Sequence, residues 1–176
     1  MTIPTEPIGS IPRSKELVES LAPGKAAEFH ELSTAAVRDT IRRLEELGSP
    51  VVTDGEQSKP SFATYPIAGF EGLAPGGVTI PFADGHTRQL PKLAKGPFRY
   101  ASYAEDYLKE ALRYAKKPVK QAVISASALS LLYPQEGLAS YPREQFIDDL
   151  LNEHEADIRR CLKAGAHSVQ VDFTEG

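Results

Sequence analysis

Four short runs in this sequence end an apolar stretch in hydroxyl or carboxylate side chains. They are Ile8-Gly9-Ser10-Ile11-Pro12-Arg13, Val51-Val52-Thr53-Asp54-Gly55-Glu56-Gln57, Ser125-Ala126-Ser127 and Val169-Gln170-Val171-Asp172-Phe173-Thr174-Glu175. In parallel α/β folds the chemistry collects at the C-terminal ends of the strands, in the loops that lead into the helices. Carboxylates converging at such an edge suit a cationic amine, and hydroxyls or backbone N–H groups suit a carboxylate. An α-amino acid presents both groups. Each run also has a plainer reading. Ser10 serves as an ordinary loop hydroxyl, Asp54-Gly55 is most often a turn, and Asp172 caps whatever follows it.

The elements that would position these runs follow from hydrophobic period. The prolines from Pro4 to Pro12 deny backbone donors and favour an extended opening, with a very short strand at Ile8-Gly9-Ser10. Val37, Ile41 and Leu44 recur at helical spacing and predict a helix from about Phe29 to Leu47, stopped by Gly48 and Pro50. Val51-Val52-Thr53 reads as a short buried strand. Residues 55–100 are rich in Gly and Pro and read as a long loop insertion. Within it, Gly77–Leu90 is a β-hairpin turning at Asp84-Gly85. A second helix spans Tyr103–Lys116, and Val119–Ser125 is the next strand. A Ser/Ala/Leu loop follows, to Tyr141. The longest helix runs from about Arg143 to Ala164, with Phe146, Ile147, Leu150, Leu151, Ile158 and Leu162 on its buried face. His167–Asp172 is the last strand. Alternating β and α units imply a parallel sheet, here of four strands near residues 6–9, 51–54, 119–125 and 167–172.

Composition narrows the classes. The chain has 176 residues, of which 41% are hydrophobic and 25% charged, a globular balance. A net charge of −4 without a basic patch argues against nucleic acid as the main partner. No run approaches the roughly 18 apolar residues of a membrane span, and the N-terminus has no cationic-then-apolar signal pattern. A single cysteine, Cys161, rules out an intramolecular disulfide framework. The default expectation is a cytoplasmic protein.

In order along the chain, four segments resemble the catalytic barrel of cobalamin-independent methionine synthases. IGSIPR resembles the family's IGSFP opening. LEELGSPVVTDGEQ resembles its helix–strand–GE segment. KKPVKQAVISAS is similar to the strand that reads V-K-G-M-L-T-G-P. KAGAHSVQVDFTEG is similar to A-G-x-x-x-I-Q-I-D-E-P. The resemblance implies the first half of a (βα)8 TIM-type barrel, one unit over residues 1–176, with the hairpin insertion after the second strand. It implies methyl transfer from a folate to the thiol of homocysteine. Ser10 then matches the serine that holds the amino acid's carboxylate. Glu56 matches the glutamate that contacts the amino acid, and Asp172 the aspartate that binds its ammonium group. Gln57-Ser58-Lys59-Pro60 follows the GE where the family has charged residues, Ser125-Ala126-Ser127 replaces T-G-P, and Phe173-Thr174 replaces E-P. With these donor-side differences, alkyl transfer to another small thiol and a non-catalytic amino-acid-binding or scaffold half-barrel stand as alternatives.

Thiol alkylation at neutral pH needs a thiolate, which zinc coordination provides. The family's zinc ligands, a His-x-Cys pair, a Glu and a second Cys, belong to the later half of the barrel. His30, His86, His154, His167 and Cys161 form no H-x-C, C-x-x-C or H-E-x-x-H pattern. The expectation is that residues 1–176 hold no complete zinc site and no catalytic residue, so that the chain is inactive alone. An eight-stranded barrel needs roughly 250 residues. Four strands would leave edges and apolar faces open. Val51, Val123, Ile124, Val169 and Val171 are therefore expected to pack on polypeptide outside this range. That polypeptide is a second chain, a continuation, or a second copy.

Overall fold

The computed structural model describes residues 5–81, 85 and 87–172. Its centre is a parallel pair of strands, Lys120–Ile124 and Ser168–Asp172, in register from Lys120 opposite Ser168 to Ile124 opposite Asp172. In chain order these are β5 and β6. Every residue of β5 is buried, as expected of a strand covered on both faces in a parallel sheet. On its other side Val52 forms a single parallel bridge to Val119, closed by Val52 N–H on Pro118 O and Lys120 N–H on Val52 O, both 2.9 Å. The opening segment lies beside Val52 in turn. Ile11 N–H donates to Gly55 O at 3.0 Å, and Thr53 Oγ1 donates to Gly9 O at 3.1 Å.

The α/β class is therefore found, but the expected four strands are not. Two strands form a ladder, residues 51–54 contribute one bridge, and the described residues near 6–9 form no strand. The physical reason lies in the donors. Pro7 has no N–H, and the segment is tied down by a threonine hydroxyl and one backbone bond from Ile11 instead of a ladder.

Helices cover this core. α1 is Lys15–Glu19, α2 Ala26–Glu46, α3 Ala104–Leu112, α4 Ala126–Ser130 and α5 Arg143–Lys163. The three longer ones match the periodic segments of the sequence. α1 is capped by Ser14, and α4 by Ser125 where a loop was expected. The buried stripe of α5 is Phe146, Leu150, Asp157 and Cys161, with Ile147 and Ile158 flanking it. Leu151 and Leu162, assigned to that face from the sequence, are 52% and 51% exposed. The stripe instead continues through the polar Asp157, which hydropathy assigns to solvent.

The described residues between 55 and 100 form a layer on the core and not a loose loop. It opens with a 3₁₀ turn at Tyr65–Ile67. Two antiparallel pairs then stack along one hairpin. β1 (Leu73–Ala74) pairs with β4 (Lys92–Leu93), and β2 (Thr79–Pro81) with β3 (Thr87–Gln89). Of the expected turn, Asp84 lies outside the described residues, as do Phe82 and His86. Leu90, Leu93, Phe98 and Tyr100 carry the base of the hairpin into the core. Phe98 meets Phe70, Tyr100 and Phe146 edge-on at 5.6, 6.0 and 5.2 Å, favoured geometries for aromatic pairs.

Three of the five residues expected to need outside polypeptide are covered by this chain. Val51, Val123 and Ile124 are buried. On β6, Val169 is half-buried and Val171 is 45% exposed.

Candidate functional site

The run from Val51 to Gln57 is wholly buried and ends in an unusual turn. Gly55 and Glu56 both adopt left-handed backbone, with φ of +64° and +54°. Glycine takes this conformation freely, whereas for glutamate it is uncommon and marks a held residue. A Cβ at Gly55 would also lie 2.9 Å from Thr40 Cγ2. Three side chains hold the turn. Asp54 Oδ1 accepts from Glu56 N–H at 2.9 Å, Arg13 donates to the carbonyls of Glu56 and Lys59, and Gln57 Nε2 donates to Ile11 O at 2.8 Å. Burial pushes the Asp54 carboxyl up, against the lowering influence of Lys59.

This turn aims the Glu56 side chain at the opening segment. Ser10 Oγ donates to Glu56 Oε1 at 2.5 Å. Gly9 makes the approach possible, since a Cβ there would stand 3.3 Å from the same oxygen and 3.5 Å from Ala122 Cβ. The other oxygen, Glu56 Oε2, accepts from Lys59 Nζ at 2.8 Å. Lys59 is completely buried and Glu56 only 4% exposed. Nζ also donates to Ala122 O on β5 at 2.8 Å and lies 4.5 Å from the Tyr65 ring centre. Tyr65 in turn donates to Asp157 Oδ2 at 2.6 Å, while Asp157 Oδ1 accepts from Ala104 N–H at 2.7 Å. Burial and the nearby Asp157 charge push the Tyr65 phenol well up, so it stays protonated and donates.

Asp172 ends β6, beside Ile124 at the end of β5. It is half-buried, and burial pushes its carboxyl up, with the Glu56 charge acting in the same direction and Lys59 and Lys120 opposing. Its Oδ1 accepts from Gln170 Nε2 at 2.7 Å, and Gln170 Oε1 accepts from Lys120 Nζ at 2.9 Å. The structure thus joins Ser10 to Glu56 directly and places Asp172 near enough for its charge to act on Glu56. Ser125 takes the plainer role, capping α4 through Ala128 N–H at 3.2 Å, with Ser127 Oγ donating to it at 3.0 Å. A shallow cavity of about 340 Å³ opens over Ser10 and Glu56, walled by Ile11, Arg13, Phe62 and Arg88, the last from the hairpin.

Sequence reasoning missed Lys59, Tyr65 and Asp157. Spacing offers one faint signal for the first. Lys59 stands three residues after Glu56, but nothing in the sequence says that it turns inward.

Cys161 is buried on α5, and burial pushes its thiol up to about 12. His30 and His154 lie on α2 and α5, and His167 precedes β6. Among the described residues no three His, Cys, Asp or Glu side chains are grouped to hold a metal ion. Among the same residues no helix is long and apolar enough to cross a membrane.

No family model and no curated protein sequence matches the chain. Solved structures do share its fold. A B12-independent methionine synthase from Shewanella sp. W3-18-1, solved in complex with selenomethionine, superposes with a TM-score of 0.77 at 20% identity, over 96% of this chain and 51% of that one. A Listeria monocytogenes protein classed as a vitamin-B12-independent methionine synthase gives a TM-score of 0.61 at 20% identity, over 94% and 50%. The chain, spanning about half the length of the structures it matches, therefore has an α/β fold like that of cobalamin-independent methionine synthases.

Proposed function

We propose that this chain binds a thiol-bearing amino acid at Ser10, Glu56 and Asp172, and forms part of a methyltransferase that moves a methyl group from a folate to the thiol of homocysteine. One observation carries the reading. A serine hydroxyl and a buried, left-handed glutamate are hydrogen-bonded at the C-terminal edge of parallel β-structure, with Asp172 at the end of β6, on the far side of β5. Opposite polar characters at one edge are what an α-amino acid requires. On binding, the Ser10 hydroxyl turns its proton from Glu56 Oε1 to the ligand's carboxylate, and Glu56 and Asp172 take the ammonium. The likeness to methionine synthases, one of them solved with selenomethionine, supports the same ligand class.

Zinc, when bound, would hold the substrate sulfur as a thiolate. The described residues do not fit that ion, because Cys161 is buried as a thiol within α5 and no ligand set surrounds the site. In this reading the zinc ligands and the remaining barrel strands come from polypeptide outside residues 1–176, on a second chain or a continuation. This chain's share is to bind and orient the amino acid.

Titration calorimetry with L-homocysteine tests the proposal. The chain should bind it, and Asp172→Asn should weaken binding by about 2 kcal/mol, the low end for losing a charge partner because Asp172 is half-buried. That is roughly thirtyfold in affinity. An affinity unchanged by the substitution would sink the assigned role. Binding without methyl transfer in the complete native assembly would favour the amino-acid-binding alternative. Transfer to a different thiol would favour the alkyl-transfer alternative.

A further inference from the structure

Glu56 is asked to present a negative charge to a ligand from a position that is 4% exposed. A carboxylate at that depth takes up a proton unless something charged or strongly donating holds it ionised. The groups that face it can be named. Asp54, on the same turn, and Asp172, from β6, are like charges within electrostatic reach of it. Ser10 contributes one neutral hydrogen bond. Arg13, whose guanidinium binds the backbone carbonyls of Glu56 and Lys59, adds a second positive charge nearby but does not touch the carboxylate. Lys59 is the cation in direct contact with the carboxylate.

The surroundings of Lys59 leave it no other task. Its ammonium faces Glu56 Oε2, Ala122 O and the Tyr65 ring, so its donors and its open face all point into the protein. Three separate segments fix that one nitrogen. The Tyr65 ring beneath it is itself anchored through Asp157 to α5 and the start of α3. Glu56 Oε1 is left for the cavity, where the exposed Ser10 hydroxyl meets it.

We infer that Lys59 is a positioning residue, which keeps Glu56 ionised and its Oε1 turned to the ligand's ammonium without touching the ligand itself. The inference rests on the amino-acid reading above. Calorimetric titration of the full chain with L-homocysteine at pH 8.5 and pH 6.0 tests it, comparing proteins with and without Lys59→Met. The comparison is made in an Asp172→Asn background, because the Lys59 charge also acts on the Asp172 carboxyl. The ligand's own titration is common to both proteins and cancels in the ratio of their dissociation constants. That ratio should grow at least tenfold between pH 8.5 and 6.0, as Glu56 without its cation is neutralised. A ratio that stays constant would overturn the inference and leave the amino-acid reading standing. Wild type that binds no homocysteine at either pH would remove that reading, and this inference with it. If Lys59→Met does not fold, Glu56→Gln is compared with Glu56→Gln/Lys59→Met, a neutral pair in place of the charged one. In the same Asp172→Asn background Lys59 has only Glu56 to act through, so the two should agree within threefold. A double variant more than tenfold weaker than Glu56→Gln would show that Lys59 acts on the ligand directly, and would overturn the inference.

Discussion

Gly9 is the residue whose substitution separates binding from folding most cleanly. A methyl group there meets Glu56 Oε1 at 3.3 Å and Ala122 Cβ at 3.5 Å, a tight fit that the carboxylate relieves by moving. Gly9→Ala should lower homocysteine affinity about tenfold, or about 1.4 kcal/mol, while thermal unfolding changes little. Gly55→Ala should do the reverse. Its left-handed φ and the 2.9 Å approach to Thr40 Cγ2 put strain into the folded state, about 1–3 kcal/mol by denaturant titration. Asp172 sets a pH dependence. Burial raises its carboxyl, so it takes up a proton above the ordinary aspartate range. Homocysteine affinity should therefore fall on acidification before that range is reached, and Asp172→Asn should remove this component. At this scale strand-end loops and motif resemblance both point to Ser10, Glu56 and Asp172, and of these the structure joins Ser10 to Glu56 by a hydrogen bond. Lys59 was not legible in the sequence. Its three inward partners come from Glu56, Ala122 and Tyr65, and only the folded chain brings them together.

Element by element, the helices were read best and the insertion worst. A 3.6-residue period reveals α2, α3 and α5 because each shows an apolar stripe. It misplaces Leu151 and Leu162 because hydropathy cannot say that the stripe passes through Asp157. Within 55–100 the β2–β3 pairing agrees with the hairpin read from its turn signal, but the rest looked like a loop since strands of two or three residues carry no usable period. Its contribution lies in aromatic packing. Phe98, fully buried against Phe70, Tyr100 and Phe146, should cost about 3–5 kcal/mol when truncated to Ala, as read by denaturant unfolding. A loose insertion would tolerate that change. α5 also carries a titratable test. Burial holds His154 below the usual histidine value, so the unfolded chain is protonated first as pH falls. The stability that its neutral form allows is full above the ordinary histidine range and declines below it. The denaturation midpoint should therefore drop between pH 7.5 and 5.5, and drop less in His154→Gln.

Over the whole molecule, the polar contacts join segments far apart in the chain. Tyr65 reaches Asp157 across 92 positions, Lys59 reaches Ala122 across 63, and Thr34 reaches Glu110 across 76, with Thr34 Oγ1 donating to the Glu110 carboxylate at 2.7 Å. Alternation of β and α made the layer order legible, yet it could not show that these distant side chains meet inside one layer. The Tyr65–Asp157 bond has a kinetic consequence. Its loop can close only after α3, β5 and much of α5 have assembled, because a long closure costs entropy that nothing local repays. A contact made after the rate-limiting barrier slows unfolding and leaves refolding almost untouched. In stopped-flow denaturant jumps, Tyr65→Phe should therefore steepen the loss of native protein, with unfolding roughly tenfold faster for each 1.4 kcal/mol removed, while the refolding rate stays within about twofold. A slowed refolding limb would instead place this buried hydroxyl among the first contacts the chain makes.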